Sequence, residues 1–253
     1  MQAADLKFYG GLANDYPLLL TDWKKEVRRQ GEALNAFIRR QLGMRPLAAL
    51  DCSCGIGTRA IGLALYGYQV YATDANPAAI ARARKEAAAF GVAVNFEVAG
   101  LHSLNAAITG KFDVVLAGDE ALSHLETDAE LLLAARQMRT RLWRDGLLLI
   151  GIRDYEQATP PATLPRVFET DEGRRIVFQL WDWAEDRRTF MLNHFLLQQK
   201  QDEWQTHLLA TQHRAWGQEE LTAILHAAGF VDIVWHAPAE NGIPQPIVTA
   251  RRK

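Results

Sequence analysis

Apolar positions recur along the chain first at helical and then at strand spacing. Trp23, Val27, Leu34, Phe37 and Ile38 lie on one stripe of a helix that Thr21 can cap and Gly43 stops near Leu42. The run from Leu47 to Leu50 then enters a turn at Gly55 and Gly57. A helical apolar pattern follows, and a second run from Tyr68 to Ala72 stops at Asp74, so the stretch spells one βαβ unit. Asn76 and Pro77 open an Ala-rich helix that Gly91 closes. Val92 to Val98 and Lys111 to Ala117 supply a third and a fourth strand. Thr127 and Glu130 form a capping box for a helix running towards Arg144, which Asp145-Gly146 closes. Leu147 to Ile152 is a fifth, buried strand that ends in Arg153-Asp154-Tyr155.

The pattern changes after that strand. Pro160, Pro161 and Pro165 mark a linker, and three strand-like runs follow: Arg174 to Trp183, Thr189 to Gln199 and Trp204 to Trp216. Glu185-Asp186-Arg187 and Lys200-Gln201-Asp202 read as the turns of an antiparallel meander rich in Trp, Phe and Leu. Gln218 to Ala228 is a helix stopped by Gly229, and strands at Val231 to Trp235 and Gln245 to Arg251 close the chain, with Pro246 tolerable only near a strand start. The division expected from this order is an N-terminal helical arm over 1–43, an α/β core over 44–158, an antiparallel β insert over 159–216 and the rest of the core over 217–253.

With 253 residues, nearly half of them hydrophobic, the chain can bury one large core. A formal net charge of −2 with both signs interspersed recommends neither nucleic acid nor an anionic membrane, and small molecules are the expected partners. Cys52 and Cys54 are too close for a comfortable disulfide and too few for a zinc site; they read as small residues packing a loop, and no cluster of metal ligands appears elsewhere. No apolar run reaches the roughly 18 residues of a membrane span and no signal sequence is visible, so a cytoplasmic protein is expected; the pattern leaves the oligomeric state open.

Chemistry concentrates in Asp51-Cys52-Ser53-Cys54-Gly55-Ile56-Gly57-Thr58-Arg59-Ala60 and in Asp74. Gly55 and Gly57 let backbone approach a ligand, the amides of the following helix point at it, and Asp74 is placed to accept from a ribose diol. Formally the glycines and the distant acid satisfy a dinucleotide fingerprint, but Asp51 would meet an incoming pyrophosphate with like charge. A ligand with an ammonium, a sulfonium and a ribose suits both acids. The stretch resembles the first two motifs of class I S-adenosylmethionine-dependent methyltransferases. The chain order extends that likeness over nearly the whole chain, and Ile152-Arg153-Asp154-Tyr155, Gly118-Asp119 and His124-Leu125 with the meander resemble the glycine and sarcosine N-methyltransferase group.

The resemblance implies an α/β, Rossmann-like sheet of seven strands with the last antiparallel, carrying an antiparallel β insert. It implies S-adenosylmethionine as cofactor, with Asp51, Cys52, Gly55, Gly57, Asp74, Ala75, Gly100 and Leu101 around it. Tyr9 and Tyr16, on a glycine-interrupted aromatic arm that reads as a lid, and Trp23 are assigned as further cofactor contacts. Where many such enzymes place an acid beside the adenine, this chain has Gly100. One of Arg28 and Arg29 is a candidate for the cofactor carboxylate, beside the plainer reading of a solvated face. Arg153 and Asp119 are assigned to a small-molecule methyl acceptor, Arg153 anchoring an acid group and Asp119 orienting an amine. Alternatively the two could pair with each other or with Asp154 and only brace the loop. His102 and His124 are weaker candidates, since an amine with a free lone pair needs no strong base. O-methylation, a dinucleotide-dependent oxidoreductase and a cofactor-binding protein without activity remain the competing readings.

Overall fold

The computed structural model describes residues 22–45, 47–118, 121–155, 163–170, 173–201 and 203–253. Tyr9, Tyr16, Asp119 and the proposed cap Thr21 therefore lie outside the described residues. The first helix, α1 (Trp23–Leu42), is capped by Asp22, whose carboxylate accepts from the Lys25 amide, and closed at Gly43.

The core alternates β1 (Ala48–Asp51), α2 (Thr58–Leu65), β2 (Gln69–Asp74), α3 (Pro77–Phe90), β3 (Val94–Val98), the short α4 (Leu104–Ala107), β4 (Phe112–Ala117), α5 (Asp128–Arg141) and β5 (Leu142–Gly151). Four strands follow, β6 (Arg166–Thr170), β7 (Gly173–Trp183), β8 (Thr189–Lys200) and β9 (Glu203–Arg214), then α6 (Gln218–Ala227), β10 (Val231–His236), α7 (Pro238–Asn241) and β11 (Ile247–Arg251).

Among the described residues, seven strands form one sheet in the order β10-β11-β5-β4-β1-β2-β3, in which β11 runs antiparallel to both of its neighbours. Strands β6 to β9 form a second, antiparallel sheet in sequence order. The expected α/β architecture, with its antiparallel last strand and antiparallel insert, is what the chain adopts. The strand order reverses between β1 and β4, which is where an open α/β sheet leaves a crevice beyond its carboxyl ends. Asp113 ties these two strands at their other end by accepting from the Ala48 amide at 2.8 Å and pairing with Arg45 at 2.7 Å.

The packing of α1 on α2 depends on two glycines. A Cβ on Gly31 would lie 2.7 Å from the Gly62 Cα, and one on Gly62 would lie 2.8 Å from both the Gly31 Cα and the Val27 carbonyl oxygen. The helices thus approach at backbone contact midway along α2.

The end of one helix and the start of the insert differ most from what the sequence suggests. The helix expected to reach Arg144 ends at Arg141, because Leu142 already pairs with Phe112; residues 143–146 then bulge before Leu147 pairs with Val114. Asp145 takes a left-handed φ of 61°, and its amide donates to the Arg252 carbonyl, so the closing end of the chain holds the bulge. The strand β6 departs from the linker that the prolines suggest: it is a short edge strand of five residues, beginning next to Pro165. Among the described residues, no helix is long and apolar enough to cross a membrane.

Candidate active site

The turn after β1 is built by backbone. Asp51 is fully buried and accepts from the Ser53 amide at 3.3 Å, while the amides of Cys52 and Cys54 donate to the carbonyls of Leu116 and Thr73. Both cysteine thiols are free and buried, and burial, with the charge of Asp51 adding to it, pushes them well above the ordinary thiol range. They pack the turn, as expected. Gly57 caps α2 at φ 94°, where a Cβ would press within 3.0 Å of the Ile61 side chain, whereas a Cβ on Gly55, at φ 53°, would meet no atom within 4 Å. Gly55 thus turns an open backbone face outwards, and only glycine adopts both conformations cheaply.

Asp74, at the tip of β2, pins that turn from the side. Its Oδ2 accepts from the Gly55 amide at 2.8 Å and its Oδ1 from the Asn76 amide at 2.9 Å. Each oxygen keeps a further lone pair, so a vicinal diol can be received without breaking either bond. Burial raises the Asp74 carboxyl above its ordinary 3.8, against the two amides and the charge of Arg59, which pull it down. Beside it, a Cβ on Gly100 would lie 3.4 Å from that of Ala75, and the Ala99 amide donates to the Asp74 carbonyl. Asp51, Cys52, Gly55, Gly57, Asp74, Ala75, Gly100 and Leu101 therefore share the carboxyl edge of β1, β2 and β3. The open face at Gly55 and the spare acceptors of Asp74 fit a nucleoside bearing an amino-acid tail.

Other assigned residues sit elsewhere. Trp23 is on α1, its indole donating to Thr58 Oγ1 at 3.2 Å and its ring edge-on to Phe90, so it braces the start of α2. Arg29 bonds to Glu26, Arg28 lies over the Phe90 ring, and His102 offers its carbonyl to Gln137.

A second group assembles over the ends of β4 and β5. Tyr155 accepts or donates a 2.7 Å bond with Ser123 in the 3-10 turn Ala121–His124, and its ring lies 5.6 Å from Phe190, 6.5 Å from Trp181 and 6.4 Å from Trp183. Arg153 stacks its guanidinium 4.6 Å above the Trp181 ring. His124 meets His213 of β9 edge to face at 4.4 Å, and His213 also abuts Phe190. A cavity of about 10 Å³ lined by Ile152, Arg153, Asp154, Tyr155, Trp216 and Trp235 has room for roughly one water.

Sequence reasoning missed Tyr155, Ser123, Phe190 and His213 as members of one cluster. The facing of Phe190 and His213 follows from the hairpin register, Thr189 opposite Arg214, which could be counted back from the turn at Lys200-Gln201-Asp202. Arg59 was also missed, although it stands inside the motif itself.

A methyltransferase domain family model matches residues 49–146, from the middle of β1 to the bulge of β5. Over that stretch the chain is similar to a methyltransferase domain. The match covers the glycine turn and Asp74 and stops short of Tyr155 and the insert. Over 140 residues the chain is 28% identical to the glycine/sarcosine N-methyltransferase of Parasynechococcus marenigrum (strain WH8102), which covers 54% of this chain and 48% of that protein. The chain thus spans about half the length of the curated relative it matches. Among solved structures, the SAM-bound amino pentose methyltransferase of Micromonospora echinaspora is similar with a TM-score of 0.75 and 18% identity, over 89% of this chain and 92% of that one. The sugar N-methyltransferase of a Streptoalloteichus species gives a TM-score of 0.76 and 17% identity over 91% and 89%. These likenesses show that the chain shares its fold with both structures over most of its length.

Proposed function

We propose that this protein transfers the methyl group of S-adenosylmethionine to the amine nitrogen of a small molecule. The observation that carries the reading is one juxtaposition: a glycine turn pinned by Asp74, and an aromatic wall with a stacked arginine, at the carboxyl ends of neighbouring strands. The bound cofactor would supply an electrophilic methyl carbon. Asp74 receives its ribose hydroxyls, Asp51 gives negative potential beside its cationic end, and Ala75, Gly100 and Leu101 shape the space for its base.

The chain's remaining work is orientation and exclusion of water, which in well-aligned models supplies roughly 7 to 11 kcal/mol of rate acceleration. Trp181, Trp183, Phe190 and Tyr155 are assigned as the apolar wall of the acceptor site. Arg153, whose guanidinium lies over Trp181, is assigned to a carboxylate on the same acceptor. Asp119, next after Gly118, is assigned to orient the nitrogen. The glycine/sarcosine N-methyltransferase and sugar N-methyltransferase relatives support nitrogen as the target.

The test is a turnover screen over amino acids, primary amines and phenols, with Arg153→Lys in parallel. Amines are expected to be methylated, and Arg153→Lys to raise KM for carboxylate-bearing amines alone. Turnover of phenols only would reject the reading.

A further inference from the structure

Arg59 occupies the first turn of α2 and is buried to 8% exposure, a costly place for a guanidinium. It lies across the crevice where the strand order reverses. Its Nε is 3.9 Å from Asp51 Oδ2 at the tip of β1, and its Nη2 reaches the Ser53 carbonyl at 3.4 Å. At the tip of β4 it presses on backbone: a Cβ on Gly118 would lie 2.7 Å from its Cζ and Nη1. The Gly118 amide in turn donates to Ser53 Oγ at 3.3 Å, so this glycine, the Asp51 turn and Arg59 form one floor. The charge of Arg59 is also felt at Asp74, where it opposes the effect of burial.

That floor has the charge pattern of a receptor for an amino-acid terminus, with a carboxylate for the ammonium and a planar, permanently charged fork for the acid. The arginines suggested by sequence for the acid face elsewhere, Arg29 towards Glu26 and Arg28 over Phe90. We infer that Arg59 holds the carboxylate of the cofactor's methionine portion, with Gly118 kept free of a side chain so that the guanidinium can lie there. This assignment rests on the cofactor reading above.

Titration calorimetry with two ligands tests it: S-adenosylhomocysteine, and S-adenosyl-3-thiopropylamine, which is the same molecule without its carboxylate. The unaltered protein is expected to prefer the carboxylate-bearing ligand by tenfold or more. In Arg59→Gln that preference should shrink to within about twofold while the amine ligand binds as before, which also shows that the variant is folded; Arg59→Lys should recover part of it. Gly118→Ala, which crowds the guanidinium and leaves the arginine in place, should lower the preference as well. An undiminished preference in Arg59→Gln, or equal loss of both ligands, overturns the assignment. If the unaltered protein binds neither ligand, the cofactor reading itself fails and takes this inference with it.

Discussion

The two halves of the site are built by different means. Around the glycine turn, backbone does the work: Gly55 and Gly57 in left-handed conformations, amides paired across β1, β2 and β4, and one carboxylate that fastens Gly55 to the tip of β2. Around Arg153, side chains do it: Tyr155 from the tail of β5, Trp181 and Trp183 from β7, Phe190 from β8 and His213 from β9 meet from segments far apart in the chain. A half made of backbone tolerates few changes and serves a constant ligand. A half made of side chains on a separate sheet can be respecified by substitution without disturbing the first.

Substitutions should therefore separate the halves. The largest effect is expected where the backbone half meets its support. Gly62→Ala or Gly31→Ala places a methyl group within 2.7 to 2.8 Å of helix backbone, and such overpacking costs about 1 to 3 kcal/mol. In a domain of this size each kcal/mol lowers Tm by roughly 2 to 4 °C. A melt that leaves Tm unchanged would show that α1 does not hold α2.

Next comes Asp74→Ala, which removes charge-assisted hydrogen bonds worth on the order of 1.5 to 3 kcal/mol. Affinity for S-adenosylhomocysteine should fall about tenfold to a hundredfold, with KM for the acceptor little changed once the cofactor saturates. Unaltered cofactor affinity would contradict the assignment.

Trp181→Ala should do the reverse. KM for the acceptor is expected to rise about tenfold, as for loss of a desolvated ring contact near 1.5 kcal/mol, while calorimetry finds the cofactor bound as before. Parallel losses in both constants would mean that the halves are not independent.

The mildest test is pH. The raised proton affinity of Asp74 means that its ionised form is disfavoured in the free protein, so its contribution to stability is present below the ordinary 3.8 and lost as pH rises through the raised value. Ribose hydroxyls require the ionised acceptor, so cofactor affinity should change in the opposite sense and weaken as pH falls through that raised value. Affinity that stays flat as pH falls in the unaltered protein, or a slope that persists in Asp74→Asn, would remove Asp74 from that role.

The same contrast explains what is legible in the sequence. Glycine spacing, an acid at a strand tip and a capping box are local requirements of backbone geometry, so the amino-acid order alone places the glycine turn, Asp74 and the start of α5 correctly. It does not place the end of α5, because whether Trp143 to Gly146 closes a helix or bulges a strand is decided by Arg252, over a hundred residues away. Arg59 is hidden for a similar reason: its position within the motif is local, but its role appears only once β4 brings Gly118 against it. The tryptophans of the insert announce an aromatic wall, yet Phe190 and His213 join it only through the pairing of β8 with β9.

The most direct measurement of the central claim is to follow a ¹³C-labelled methyl group from S-adenosylmethionine into an equimolar mixture of an amino acid, an aminosugar and a phenol, and to read the product by NMR. The account predicts label on nitrogen, with a carbon shift of an N-methyl group, and labelling about tenfold to a hundredfold slower when Asp74→Ala replaces the unaltered protein at limiting cofactor. Label on the phenolic oxygen alone, or no transfer from a cofactor that demonstrably binds, would contradict it.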